Sequence, residues 1–308
     1  METRRRVTIP PHLVGERADK VVAELAGVSR QAARAVFAEL VTVDGRAVVG
    51  NQRVGEGIIE YAAPLPTAGT VPEEVAFAVL YEDPDLIVVD KPAGVVVHPG
   101  AGRSRGTLAA GLLYRFPELA AVGEEGRAGL VHRLDEGTSG LLLVARNPDS
   151  YRHLQAGIRK RTIHRSYLAL VHGVPELPTG TVDAPIGRDP AHPTRKKVLA
   201  GGRPSRTHYR VLRSYQVASL LEIELETGRT HQIRVHLAAI DHPVVGDRVY
   251  SRRRPPVPVP RMFLHAFRLR FPHPASGEEM VKESPLPPEL EEVLIELDRL
   301  YPERSVPS

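Results

Sequence analysis

Apolar positions along the chain change from helical to strand spacing in a definite order. Val21, Val22 and Leu25 share one face of a helix over Ala18–Leu25, and Gly27 is placed to end it. Ala33, Val36, Phe37 and Leu40 recur at the same spacing over Arg30–Leu40, behind Ser29 as the cap, while Arg30 and Arg34 share another face. Val41 to Val48, centred on Asp44-Gly45, reads as strand, turn, strand. From Ala63 to Val75 the periodicity is lost among Pro, Gly, Thr and Glu, which marks a linker.

A longer, strand-rich region follows. Leu86–Asp90 is a β-prone run entered through a turn, and Lys91–Gly100 is strand-like but punctuated, with Lys91 read as an ordinary strand-end cation. Thr107 caps a helix to Arg115, Ser150–Arg161 is a second helix with a basic end, and Tyr167–Val171 is a strand. Gly180–Gly202 reads as a long polar loop carrying Arg188, Arg195, Lys196 and Lys197. Thr207–Arg213 and Leu220–Glu226 alternate as half-buried strands; in the second, Leu221, Ile223 and Leu225 oppose Glu222, Glu224 and Glu226. Ile233, Leu237 and Ile240 form a helical stripe, Phe263–Phe271 alternates, and a last helix from Pro287 buries Leu290, Val293, Leu294, Leu297 and Leu300.

This order predicts an α+β protein: a large domain with a mixed, mainly antiparallel sheet, preceded by a small α/β domain. The expected boundaries are a basic tail over 1–14, the small domain over 15–62, a linker over 63–78, the large domain over 79–302 and a tail over 303–308.

Composition narrows the partners. Of 308 residues, 42% are hydrophobic and 25% charged, which suits a globular protein rather than a disordered or membrane-embedded one. The net charge of +4 permits a polyanionic partner without requiring it. The absence of cysteine removes disulfides, thiolate nucleophiles and thiolate metal sites. Met-Glu-Thr-Arg-Arg-Arg leads into no signal-peptide core, and the apolar runs are too short to span a bilayer, so the expectation is a cytoplasmic chain.

The candidate chemistry centres on Gly129 to Arg146, where Asp135 lies between His132-Arg133 and a glycine-bracketed turn that leads into a buried strand. A Ser-His-Asp hydrolase could draw on Ser139 and Asp135, but Thr138-Ser139-Gly140 lacks the nucleophile-elbow pattern. Thirteen histidines include no His-Glu-x-x-His, and His231 and His236 are wrongly spaced to share a helical face, so no metal site is predicted. The remaining reading is a lone carboxylate nucleophile beside a cation that favours its charged form. On the residues alone it competes with a plain buried Asp-Arg pair.

His132-Arg133-Leu134-Asp135-Glu136-Gly137-Thr138-Ser139-Gly140 closely resembles the signature of the RluA-type RNA pseudouridine synthases. Lys91-Pro92-Ala93-Gly94, Arg165-Ser166-Tyr167, Gly228 to His236 and Leu264-His265-Ala266 resemble the companion motifs in the family's order. Pro185 to Arg188 and Thr207-His208-Tyr209 resemble the RluD-like branch acting on large-subunit ribosomal RNA. The resemblance implies that Asp135 is the catalytic aspartate, that Tyr167 packs on the uracil, and that Arg234 pairs with the aspartate. It further implies an apolar wall from Ile233 or Val235, Arg133 filling the gap left by a flipped nucleotide, and no cofactor. The first sixty residues resemble an S4-like RNA-binding domain, although Leu40 and Gly55-Glu56-Gly57 depart from its pattern. Arg30, Arg34, Arg195, Lys196 and Lys197 are the expected RNA contacts. A monomer is expected, with an inert RNA-binding or ribosome-assembly factor, or a transfer-RNA enzyme, as alternatives.

Overall fold

A computed structural model describes residues 4–26, 28, 33–34, 36–37, 40–62, 70–100, 105–124, 126–192, 194–251 and 257–301. The chain divides into two compact units, Met1–Val71 and Pro72–Ser308.

In the first unit, β1 (Arg4–Thr8), β2 (Thr42–Val43), β3 (Arg46–Ala47) and β4 (Ile58–Ala62) form an antiparallel sheet in the order β1-β4-β2-β3. The β2–β3 connection is tight because Asp44 and Gly45 both adopt positive φ (48° and 76°), as the predicted Asp-Gly hairpin requires. Helix α1 (Ala18–Ala26) contributes Val21 and Val22 to a core with Ile59 and Tyr61. Ser29 and Arg30 lie outside the described residues, as do 63–69 of the expected linker and the tail 303–308.

The second unit is built on one sheet. Its path is β5 (Ala78–Glu82), β6 (Leu86–Lys91), β7 (Ser139–Ala145), β14 (Leu264–Pro272), β8 (His164–His172), β13 (Ala218–Leu225), β12 (Arg206–Ser214) and β9 (Thr179–Asp183), with β15 (Glu279–Glu283) paired to β14. Every pairing is antiparallel except β7 with β14. The α+β reading and the mainly antiparallel sheet are therefore correct.

Strand alternation sorts the sheet's two faces. On β8, Arg165, Tyr167, Ala169 and Val171 are buried, and the apolar ones join the main core with Leu221, Ile223 and Leu225 of β13. Helices α2 (Leu108–Arg115) and α3 (Pro148–Lys160) supply Leu108, Leu112 and Leu154 to that core. Leu168 and Leu170 belong to a separate cluster with Leu290, Val293 and Leu297 of α5 (Pro288–Leu300). Thr107 and Asn147 cap α2 and α3 by accepting from Ala110 N and Ser150 N (3.2 and 2.9 Å).

Three expectations need correction. Residues 4–14 are not a tail: Arg4–Thr8 forms β1 against β4, and Ile9 and Leu13 join the first unit's core. Gly180–Gly202 is not a single loop: it holds part of β9 and a hairpin of β10 (Ile186–Arg188) with β11 (Lys196–Val198). Its prolines and charges hid short edge pairings that need no apolar alternation. Leu300 is 52% exposed rather than core, because at the end of α5 it is the next residue, Tyr301, that follows Leu297 onto the cluster.

Candidate active site

The segment before β7 carries Asp135 on irregular backbone, and three anchors hold it. Thr138 N donates to the Asp135 carbonyl (3.1 Å), and Gly94 N donates to the Glu136 carbonyl (2.7 Å). Lys91 Nζ donates to the carbonyls of Pro92, Val95 and Glu136 (2.8, 2.8 and 3.3 Å). Lys91 is fully buried, which overturns its reading as an ordinary strand-end cation: the side chain turns inward and ties two loops together. Burial lowers its pKa to about 7, against the opposing pull of the Asp135 charge. Gly140 adopts φ +112°, and a Cβ there would overlap the Ala266 carbonyl, so only glycine lets β7 meet β14.

Helix α4 (Gln232–Ala239) brings in the cation. Its first residue, Gln232, is buried and fully paired: Oε1 accepts from Arg229 N and Thr227 Oγ1, and Nε2 donates to Arg206 O and Thr207 Oγ1. Arg234 Nη1 then donates to Asp135 Oδ2 at 2.9 Å. Arg234 Nε and Nη2 donate to Oδ2 and Oδ1 of Asp247 (2.6 and 3.0 Å), whose side chain is fully buried. Burial opposes the guanidinium's charge, but the bonds and charge of Asp247, and then Asp135, outweigh it and raise the Arg234 pKa above its ordinary value. The arginine is held from behind and presents its free edge to Asp135, whose side chain stays 16% exposed.

Asp135 lines a cleft of about 290 Å³ together with Tyr167, Arg133, Ile233, Arg234 and Arg165. Burial raises the Tyr167 phenol pKa, so its ring is a neutral apolar platform. Of the two wall candidates, Ile233 lines the cleft and Val235 does not, because residues two apart on a helix point to nearly opposite sides of it. Arg133 is exposed. Ser139 is 3% exposed and outside the cleft lining. It accepts from Arg261 Nη2 and pairs with His265 Nδ1 (both 2.9 Å), while His265 Nε2 donates to the Ser284 carbonyl rather than to a carboxylate. That geometry offers no nucleophilic triad.

The basic residues divide. Arg34 donates to the fully buried Asp19 (3.0 Å), yet its side chain is 60% exposed. Lys196 lines a second cleft with Arg188, Arg203 and Arg229, Lys197 is exposed and Arg195 half-buried. Tyr250 links that region to the first cleft: its hydroxyl accepts from Lys196 N and bonds His231 Nδ1 (both 3.0 Å), and the Arg234 guanidinium lies 5.1 Å from its ring centroid. Asp83, Asp85 and His273 have metal-like spacing, but none lines the cleft, and Tyr81, His273, Asn147 and Ser150 already bond the two carboxylates.

Asp247 and Tyr250 escaped the sequence reading. The available signal was stoichiometric: a buried guanidinium has five donors, and one carboxylate cannot satisfy them.

A family model described as RNA pseudouridylate synthase matches residues 85–239, which include Asp135, Tyr167 and Arg234. The chain belongs to the RNA pseudouridine synthases. The synthase is 44% identical over 312 residues to a protein of Nitrosomonas europaea named ribosomal large subunit pseudouridine synthase D, covering 97% of this chain and 89% of the relative. A Pseudomonas aeruginosa protein of the same name is 39% identical, with 92% of each chain covered. Among solved structures, human RNA pseudouridylate synthase domain containing 1 superposes with a TM-score of 0.58 at 30% identity, covering 76% of this chain and 91% of that one.

Two half-buried histidines with solvent-shielded ring nitrogens give the synthase an acid limit. Burial lowers the His98 and His132 pKa values to about 3, aided by Arg127 and Arg133 at His98 and by Arg165 at His132. Below pH 6.5 the unfolded chain takes up protons that the folded chain refuses, so stability present at neutral pH is lost as pH falls from 6.5 towards 3. The expected slope is up to about 2.7 kcal/mol per pH unit for the pair. Urea unfolding between pH 7 and 4 checks it, and His132→Gln should remove about half of that slope.

Proposed function

We propose that the synthase converts specific uridines of large-subunit ribosomal RNA to pseudouridine, as a cytoplasmic monomer, with Asp135 as the nucleophile. The observation that carries the assignment is the partly exposed Asp135 carboxylate, 2.9 Å from an arginine that Asp247 holds in place, in a cleft shared with Tyr167 and Ile233. The relatives named for the ribosomal large subunit support the substrate class.

Attack by Asp135 on C1′ forms a carboxylate–C1′ bond as the uracil leaves with the N1 bonding pair. The base turns between Tyr167 and Ile233, C5 bonds C1′ as the Asp135–C1′ bond breaks and its pair returns to the carboxylate, the C5 proton departs and N1 regains one. The product is an isomer, so the reaction needs neither an oxidant nor a net hydrolysis. A uridine in folded RNA must first leave its stack at a cost of a few kcal/mol, and the exposed Arg133 would fill the vacated space.

The RNA backbone would be gripped by Arg188, Arg195, Lys196 and Lys197 around the β10–β11 hairpin, and by an S4-like first unit through Arg30 and Arg34. Because Arg34 also neutralises the buried Asp19, its substitution would mix folding with binding. Deleting residues 1–62 is the cleaner test: RNA affinity should fall ~10-fold at moderate salt, with a shallower salt dependence and near-normal turnover at saturating RNA. The substrate itself is tested by mapping pseudouridine across total RNA from cells with and without the protein. Sites lost only from transfer RNA would reject the ribosomal assignment.

A further inference from the structure

Arg165 is the unexplained charge of the cleft. It lies two residues before Tyr167 on the same face of β8, is 5% exposed, and lines the cleft. Among the described residues its guanidinium has no hydrogen-bond acceptor and no carboxylate partner, and its Nε is buried and unsatisfied. A buried, unpaired cation costs several kcal/mol, and most are neutralised by a partner. The Asp135 side of the cleft shows the contrast, because there Arg234 is paired with two carboxylates.

Space is kept for this group. A Cβ on Gly228 would come within 2.8 Å of Arg165 Nη1, so the glycine leaves room for the guanidinium. The cleft lining combines apolar side chains, Ile158, Leu225 and Leu264 among them, with polar and charged ones, and exposed Arg133 and half-buried Arg229 are more accessible to a phosphate than the buried Arg165. A neutral, flat ligand with carbonyl acceptors fits the buried position better than a hydrated phosphate does.

We propose that Arg165 is a further catalytic residue, donating to a carbonyl oxygen of the target uracil and stabilising the charge on the detached base. This rests on the reading of the cleft as the uridine site. When the C1′–N1 bond breaks, the pair left on N1 spreads onto O2 and O4, and it returns when C5 bonds C1′ and its proton departs. A guanidinium donor to either oxygen is worth more to that anion than to the neutral base, so it lowers the barrier rather than merely tightening binding.

The test uses the full chain and a ribosomal RNA fragment that the wild type modifies. Arg165→Met is expected to slow single-turnover pseudouridine formation by ~10²–10³-fold with RNA affinity within about twofold. Its melting temperature should be unchanged or higher, because an unpaired buried charge is removed; a purely structural arginine would lower it. RNA carrying 2-thiouridine or 4-thiouridine at the target identifies the oxygen. One of the two should slow the wild type and add little further loss in Arg165→Met. Wild-type rates in Arg165→Met, or a fully multiplicative penalty with both thio-substituted RNAs, would overturn the inference. So would a loss confined to affinity with a salt slope reduced by about one, the sign of a phosphate contact. If the wild type forms no pseudouridine in any ribosomal RNA, the functional reading fails instead.

Discussion

Asp135→Ala is expected to slow pseudouridine formation by roughly 10⁴–10⁶-fold while RNA affinity stays within a few-fold of wild type, because removing a nucleophile removes the reaction path and not the binding surface. The carboxylate contributes one ion pair to a cleft whose other cations remain in place. Single-turnover assays with tritium-labelled uridine RNA and a parallel binding titration check both halves. Full activity in this variant would refute the assignment of Asp135 as nucleophile. Loss of activity together with loss of affinity would instead make it a binding residue.

Arg234→Met is expected to damage stability and activity together. The substitution leaves the fully buried Asp247 and the mostly buried Asp135 without their shared cation, and breaking such a pair costs about 3–5 kcal/mol. The rate should fall by ~10²–10³-fold, since Asp135 loses both its hydrogen bond and its orientation. Urea unfolding measures the first effect, and single-turnover rates at saturating RNA measure the second. Asp247→Asn separates the roles: the amide oxygen can still accept from Arg234, so the loss of rate should be smaller than in Arg234→Met. Asp247 Oδ1 also accepts from the backbone of Val249 and Tyr250, which makes it the knot joining α4 to the segment that carries Tyr250.

Two of the arginines lining Tyr167's cleft, Arg234 and Arg165, illustrate how one side-chain type serves opposite ends. Arg234 is committed to protein carboxylates, with three hydrogen bonds to Asp247 and Asp135. Arg165 is buried with no partner among the described residues, which on the proposal above leaves its donors for a ligand. Removing the first should destabilise the fold, whereas removing the second should not.

Local patterns were sufficient for most of the elements. The helices at Ala18, Thr107, Ser150 and Pro287, the Asp-Gly hairpin and the alternating strands depend on neighbours within a few residues, so spacing, caps and turn chemistry reveal them. The motif around Asp135, and the residues expected to surround it, were likewise legible as resemblance. The hairpin within Gly180–Gly202 was not, because two three-residue edge strands leave no apolar period to read. Nor was the environment of the charges. Asp135 and Arg234 stand 99 positions apart, and nothing in either segment announces that Asp247 closes the other side of the arginine. That Lys91 turns inward onto three carbonyls, that Ile233 rather than Val235 lines the cleft, and that Arg165 has no partner among the described residues follow only from which strands and loops meet. The sequence by itself determined most of the elements and the class of fold, through interactions local to the chain, and it marked the candidate nucleophile through resemblance. Tertiary structure alone decided which charges are satisfied and which remain open to a substrate, because burial and pairing are properties of the packed assembly of segments.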